Sequence, residues 1–347
     1  MTLKIRKTFT IILIAFLMFF VSCKKEKYEI KSFHTDKQEE YLCGDYKNYS
    51  AYANGTDELS IPLPIVLSAE NKNAKKYVLK ISENKSLSNS KEYESLLPDF
   101  EVYNLKINTA YFYKIICDDV EEEVKAFKID SKGPRNLYID GVTNARDIGG
   151  WSVGKKKSVK QGLIIRCSKF NVDEGTELVI SEKGIDELVN NFKVKTEIDL
   201  RRVDNNENGG ITSSPLGDEV KYISFPMKSG GNIILLNKDN LKELFNIFGD
   251  EANYPIVYHC SIGTDRTGLV AFLINGLLGV SEDDLYRDFL FSNFGQIGSM
   301  RTPTIIKTYI ETVQTADGKD LSEQIYNYLI GIGVEKEDLD NLKKIML

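Results

Sequence analysis

Apolar and polar positions change their rhythm three times along this chain. Residues 9–21 form an apolar run, with Thr10 near its start, behind Lys4, Arg6 and Lys7. That run is short for a membrane span and has the shape of a targeting segment, which sets off residues 1–23. Residues 24–40 are charged and poor in apolar side chains, which predicts a solvated tether. From about 41 to 131 the alternation has period two, over Tyr77–Ser82 and residues 110–116, with a last strand near 124–129. Residues 59–67 read as an edge strand interrupted by Pro62 and Pro64. Ser131-Lys132-Gly133-Pro134 reads as a linker. Beyond it, β-favouring runs at 163–166, 196–200, 221–226 and 256–259 alternate with helical spacing near 177–191 and 240–248. From Thr267 the apolar positions run all round a helix, as in a buried one. The last quarter has helical spacing at 285–291, 305–313, 321–330 and 337–345. The whole pattern predicts an α/β domain over 134–347, with a mostly parallel sheet flanked by helices. A small all-β sandwich over 41–131 precedes it. Ligands of such α/β sheets bind at the carboxyl ends of the strands.

The candidate chemistry sits at one of those ends. His259-Cys260-Ser261-Ile262-Gly263-Thr264-Asp265-Arg266-Thr267-Gly268 follows the 256–259 strand and leads into the buried helix. A loop of this shape suits a thiolate that attacks phosphate. Backbone N–H groups of Ser261, Ile262, Gly263, Thr264, Asp265 and Arg266 at a helix N-terminus attract an anion, and Gly263 lets the backbone curl. Arg266 offers a planar fork to two phosphate oxygens. The same positive end is expected to lower the Cys260 pKa into the range of activated thiols, roughly 3.5–7.5. Thr267 is placed to donate its hydroxyl to the sulfur, and His259 to orient the loop. A bare Cys-x5-Arg is a weak signal, but the full string between a strand and a helix is a specific one.

The loop resembles that of the bacterial tyrosine-phosphatase-like enzymes, which reads His-Cys-x-x-Gly-Lys-Asp-Arg-Thr-Gly. Three further segments are similar to the same family: Asn144-Ala145-Arg146-Asp147-Ile148-Gly149-Gly150, Gly162-Leu163-Ile164-Ile165-Arg166-Cys167 and Lys195-Thr196-Glu197-Ile198-Asp199-Leu200-Arg201. The resemblance covers about 134–347 and implies a cysteine-phosphatase fold with a phosphocysteine intermediate and no metal or other cofactor. It also implies Asp265 as first candidate for the acid that protonates the leaving oxygen. Asp199 is the second candidate and Asp147 a third, more naturally a turn-fixing residue. The stretch 225–232, where many related phosphatases carry this acid on a mobile loop, holds no carboxylate. Thr264 stands where the family often has a Lys associated with phosphoinositide recognition, which weighs against a lipid-phosphate substrate. Asp288-Phe289-Leu290 resembles a segment packed beside the loop and reads as structural.

Two further resemblances concern the first half. Phe20-Val21-Ser22-Cys23 resembles a bacterial lipoprotein signal, which implies export and a lipid-anchored Cys23 in the cell envelope. Leu105-x4-Ala110-Tyr111-x-Tyr113 is similar to the corner of fibronectin type III domains, modules that serve as spacers or docking parts. No particular partner of this module is legible. An exported chain can oxidise Cys43 and Cys117, but sequence cannot place them together. Cys167 stands where the phosphatase family has Ser and reads as a buried small hydrophobe.

Composition narrows the choice. Formal net charge is −6, so nothing suggests a nucleic-acid surface. The only histidines are His34 and His259, which makes a histidine-based metal site a poor reading. The expected function is a membrane-anchored, cysteine-dependent protein tyrosine phosphatase, dual-specificity included, acting on a phosphorylated protein or small phosphomonoester. Two alternatives stay open: the same chemistry on inositol phosphates or phosphoinositides, and a catalytically inactive phosphate-binding module.

Overall fold

The computed structural model describes residues 28–57, 60–170 and 179–347. The targeting segment 1–23, with Cys23, lies outside the described residues. In the second half, six strands run in the order Lys221–Ser224, Thr196–Asp199, Ile256–His259, Ile164–Cys167, Arg146–Asp147 and Arg135–Asn136. The first three pairings are parallel and the last two antiparallel, so the sheet is mixed rather than mostly parallel throughout. The chain returns from 136 to 146 in a loop too short for a crossover, so the outermost pair is antiparallel.

Successive side chains of a strand point to opposite faces, and the core divides accordingly. Ile164, Ile256 and Tyr258 enter one apolar cluster with the helices Asp265–Leu278 and Lys238–Gly249. Ile165, Cys167 and Val257 enter a second with Phe170, Leu188 and Val220. The helix Asp265–Leu278 is buried at every position after Asp265, as its all-round apolar sequence requires. The helices Glu282–Phe291, Pro303–Val313, Leu321–Gly331 and Lys336–Met346 surround it. Register puts Asp199 and Cys167 on either side of His259, so three strands end at one level just before Cys260.

The first half contains one sheet ordered Glu29–Lys31, Lys125–Ile129, Ala110–Cys117, Tyr77–Ser82, Lys91–Ser95, with Val120–Glu121 beside Ala110–Cys117. A second sheet pairs Ile65–Ser68 with Asp99–Val102. Both contribute to one apolar cluster that includes Leu67, Leu79, Phe100, Ile115 and Phe127.

Three expectations are corrected here. Within 28–40 the chain is not a solvated tether: Glu29–Lys31 is an edge strand, and Asp36–Cys43 is a helix whose Thr35 and Gln38 form a capping box. Charge on the outer face of a short helix is what made this stretch look solvated. Residues 41–51 are not part of the β-sheets either. Tyr46–Ala51 is a 3-10 helix, and Tyr41 and Leu42 join the core of the second half. Residues 60–64 make no strand, because Pro62 and Pro64 cannot donate to a ladder. Cys43 is exposed, Cys117 is buried, and both are free thiols.

The two halves are tied together at one rim of the larger sheet. Asn104 donates through Nδ2 to Tyr138 O (2.9 Å) and accepts from Tyr138 N (2.8 Å). Ile107 and Gln161 exchange a pair of bonds at 3.0 and 3.1 Å. The early helices dock on the late ones: Tyr41 Oη donates to Arg287 O (3.1 Å), and Tyr46 stacks on Tyr286 with centroids 4.5 Å apart.

Candidate active site

Cys260 emerges from a strand buried at all four positions and is itself 2% exposed. The next four residues curl back before the helix starts at Asp265. Gly263 has φ +70°, and a Cβ there would lie 2.5 Å from Cys167 O, so both conformation and space demand glycine.

What shapes the loop is a set of buried donors behind it. Asn144 donates through Nδ2 to Ile262 O (3.0 Å) and Gly263 O (3.1 Å). Arg166 donates through Nη2 to Gly263 O (2.9 Å) and through Nη1 to Asp288 Oδ2 (2.6 Å). Arg146 donates to Asn144 Oδ1 and to Ser292 Oγ (3.2 Å). Burial, with the neighbouring Arg166 charge, pulls the Arg146 guanidinium down to about 10. The carbonyls of Ile262 and Gly263 are thus occupied from behind, at the N-terminal end of a helix, where an anion is favoured. Thr264 is fully buried and its hydroxyl donates to Ile262 O (3.3 Å), so it braces the loop and offers no cation in place of the family's Lys.

Arg266 is 4% exposed. Its Nη1 and Nη2 both donate to Glu207, the former at 2.8 Å, and Nη1 also reaches Leu200 O (3.2 Å). Burial works against its charge, but the Glu207 bonds and the Cys260 charge outweigh it and raise its pKa. Its Nε is buried without a partner among the described residues, a donor still open to an oxyanion. Glu207 also accepts from Ser261 Oγ (2.5 Å) and from the Arg202 amide (3.1 Å). Burial pushes its carboxyl up, the bonds from Arg266 and Ser261 pull it down more strongly, and it settles at about 2. Glu207 thus holds the guanidinium and the first residue after the nucleophile in one clamp.

The candidate acids are less free than the sequence suggests. Both oxygens of Asp265 accept from Arg301, at 2.8 and 2.9 Å. Asp199 accepts from Arg201 N and Nε, both at 2.9 Å, and from Tyr222 Oη at 3.1 Å. Burial opposes the Asp199 charge, but the Arg201 bonds and the nearby His259 hold its carboxyl below the usual range, which makes it a poor proton donor. It stands 3.7 Å from His259 Nδ1. Asp147 accepts from Arg135 (2.8 Å) and from the Gly149 amide (2.8 Å), fixing a turn. Thr267 Oγ1 is buried with no hydrogen-bond partner among the described residues, so the expected bond to the sulfur is not made here. The His259 Nε2 pairs with Glu197 Oε1 at 3.0 Å, which pins the strand end. The Cys167 thiol is buried and pushed well up by burial, matching an inert core thiol. Among the described residues, no group of His, Cys, Asp and Glu is placed to hold a metal ion.

Glu207, Arg301 and the bracing role of Asn144 were not read from the sequence. Glu207 lies in a polar turn whose one cue is its place after the strand end at Asp199, the side where ligands gather. Arg301 is 36 residues from its partner and carries no local cue.

Comparison with known proteins agrees with this loop. Residues 137–347 match the model of the tyrosine phosphatase family. The chain belongs to that family. A protein of Cupriavidus necator, provisionally named a tyrosine-protein phosphatase, is 22% identical over 188 residues, which is 47% of this chain. The match spans 64% of that relative's length. Among solved structures, the core catalytic domain of the PP-IP phosphatase SIW14 from S. cerevisiae is 20% identical, over 46% of this chain and 94% of that one, with a TM-score of 0.29. TpbA of P. aeruginosa is 17% identical, over 52% and 96%, also with a TM-score of 0.29.

Proposed function

We propose that this tyrosine-phosphatase-family chain hydrolyses phosphomonoesters through a phosphocysteine at Cys260, with phosphotyrosine in proteins as its main substrate class. The observation that carries the reading is the loop 260–266, whose carbonyls are held from behind while Arg266 is fixed beside the nucleophile. Cys260 Sγ attacks phosphorus and the ester oxygen leaves. Loop amides and Arg266 bear the charge of the transition state. Asp265 is the proton donor in this scheme, and its contact with Arg301 gives way when substrate binds. Water then attacks the phosphocysteine and frees phosphate and thiolate. Thr264, turned inward and uncharged, favours a phosphoprotein over an inositol phosphate.

The N-terminal half supports a spacer role. The bond from the Lys106 amide to Tyr111 Oη (2.8 Å) is the backbone contact expected of a tyrosine corner, in keeping with a fibronectin type III-like module. Residues 1–23 support export and lipid attachment at Cys23, placing the enzyme on the cell envelope. No helix among the described residues is long and apolar enough to cross a membrane.

The deciding experiment is phosphate release by the detergent-solubilised full chain, without added metal, from a phosphotyrosine peptide, a phosphoserine peptide and inositol hexakisphosphate. Release from the phosphotyrosine peptide that disappears in Cys260→Ser is expected. Undiminished release by Cys260→Ser removes the mechanism, and preference for inositol hexakisphosphate removes the substrate assignment.

A further inference from the structure

The larger β-sheet has two rims with opposite surroundings. At one rim, Ser82, Asn89 and Lys91 face Arg135, Gln161 and Glu187 of the phosphatase half across a cleft of about 340 Å³. The other rim points away from it. Pairing places Ser95 beside Tyr77, Tyr77 beside Cys117, and Cys117 beside Val120. Four neighbouring strands therefore end together, within about 15 Å at the usual strand spacing.

Leu96 at 79% exposure and Leu97 at 69% follow Ser95 directly, and Val120 at 69% opens the strand Val120–Glu121. Single exposed apolar residues need no explanation, but three large ones on one rim do. Lys72, Lys75 and Lys76 lie in the loop that joins the same rim, with stems long enough to lie along an apolar surface. Asp118 and Glu122 spend their carboxylates on backbone amides of that loop.

The chain also enters from this side. Glu29–Lys31 runs parallel to Lys125–Ile129, so the amino end of that strand is the one nearer the apolar rim. Tyr28 lies against Phe112, which is five residues, about 17 Å, short of Cys117. Five residues also separate Tyr28 from Cys23, a reach of at most about 18 Å. An anchor at Cys23 can therefore stand level with the rim and hardly beyond it.

We infer that this rim is a membrane-seating surface: Leu96, Leu97 and Val120 rest in the interfacial layer of a lipid bilayer and hold the phosphatase half on the far side of the β-module. The surface rests on the proposed attachment at Cys23. Acids and lysines are paired around it, Asp99 with Lys72, Glu70 with Lys125 and Glu121 with Lys114, a charge balance that suits a zwitterionic surface.

Tryptophan scanning tests this, because the only native tryptophan, Trp151, is buried. Full-length Leu96→Trp and Leu235→Trp are mixed with phosphatidylcholine vesicles carrying a doxyl-labelled lipid. Tryptophan at 96 should shift to the blue and be quenched by the doxyl lipid, while tryptophan at 235, on the phosphatase half, should not. Leu96→Asp with Leu97→Asp should lower vesicle partitioning at least about tenfold. A tryptophan at 96 that stays open to acrylamide on vesicles overturns the surface. Shielding that instead rises with protein concentration in the absence of vesicles overturns it in favour of a second copy. Mass measurement of the wild type and Cys23→Ser reads the anchor separately: an unlipidated Cys23 removes that reading, whatever the tryptophan reports.

Discussion

At the scale of single residues, the site turns on which donors are already spoken for. Asp265 is held through both oxygens by Arg301, and its acid role predicts a leaving-group dependence. Asp265→Asn should cost about 10²–10⁴ in kcat for phenyl phosphate and much less for p-nitrophenyl phosphate, whose leaving group needs no proton. Equal losses for the two, read from initial rates, would leave Asp265 as Arg301's partner only. Glu207 is the residue that orients Arg266, so Glu207→Gln should lower kcat and weaken vanadate binding, each by about tenfold or more. Tighter vanadate binding in the variant would instead mark Glu207 as a competitor for the fork. The Cys260, Gly263 and Arg266 triplet was legible because their spacing is local and each residue type has one physical task there. The occupants of Asp199 and Asp265 were not legible, since nothing in a sequence shows that Arg201 folds back two residues or that Arg301 reaches across thirty-six.

At the scale of elements, the loop is a short backbone segment shaped by three others. Asn144 on the turn before Arg146–Asp147, Arg166 on Ile164–Cys167 and Asp288 on Glu282–Phe291 converge on it from behind. Asn144→Ala leaves Ile262 O only the Thr264 hydroxyl and Gly263 O only Arg166 Nη2. It should cost about 0.5–1.5 kcal/mol of stability, together with phosphate affinity. Thermal unfolding beside vanadate titration checks both, and intact affinity would show that the loop keeps its shape unaided. Gly263→Ala adds a Cβ where Cys167 O already stands and should abolish turnover in a chain that still folds, as circular dichroism would show. Strand and helix existence was readable from periodicity, including the buried helix after the loop. The antiparallel edge was not, because two-residue strands such as Arg135–Asn136 and Arg146–Asp147 carry no period to read.

At the scale of the molecule, the N-terminal segment joins both halves. His34 is buried between Phe33 and Phe291, and its Nε2 meets Pro134 O at 3.0 Å. Burial lowers its pKa to about 4, with smaller opposing pulls from Pro134 and Glu39. Its folded value lies below its unfolded one. Its contribution is therefore fully present above about pH 6.5 and is lost as pH falls from there toward 4, at about 1.4 kcal/mol per unit. His34→Gln should flatten the fall of the unfolding temperature between pH 7 and 5. An unchanged slope would mean that other groups carry it. Sequence placed the boundary between halves at 131–134 but could not show that residues 36–51 belong to the second half. Their partners, Arg287 and Tyr286, lie at the far end of the chain.

That crossing has a consequence for how the protein is made. Tyr41 leaves the ribosome 246 residues ahead of the carbonyl of Arg287 to which it donates. At ordinary synthesis rates of 5–20 residues per second, that is a wait of roughly 12 to 50 s. For that interval Tyr41 and Leu42 are finished while the surface that will cover them does not yet exist. Handling of the nascent chain over that interval then bears on how much of this protein reaches its native form, alongside the contacts of the finished fold.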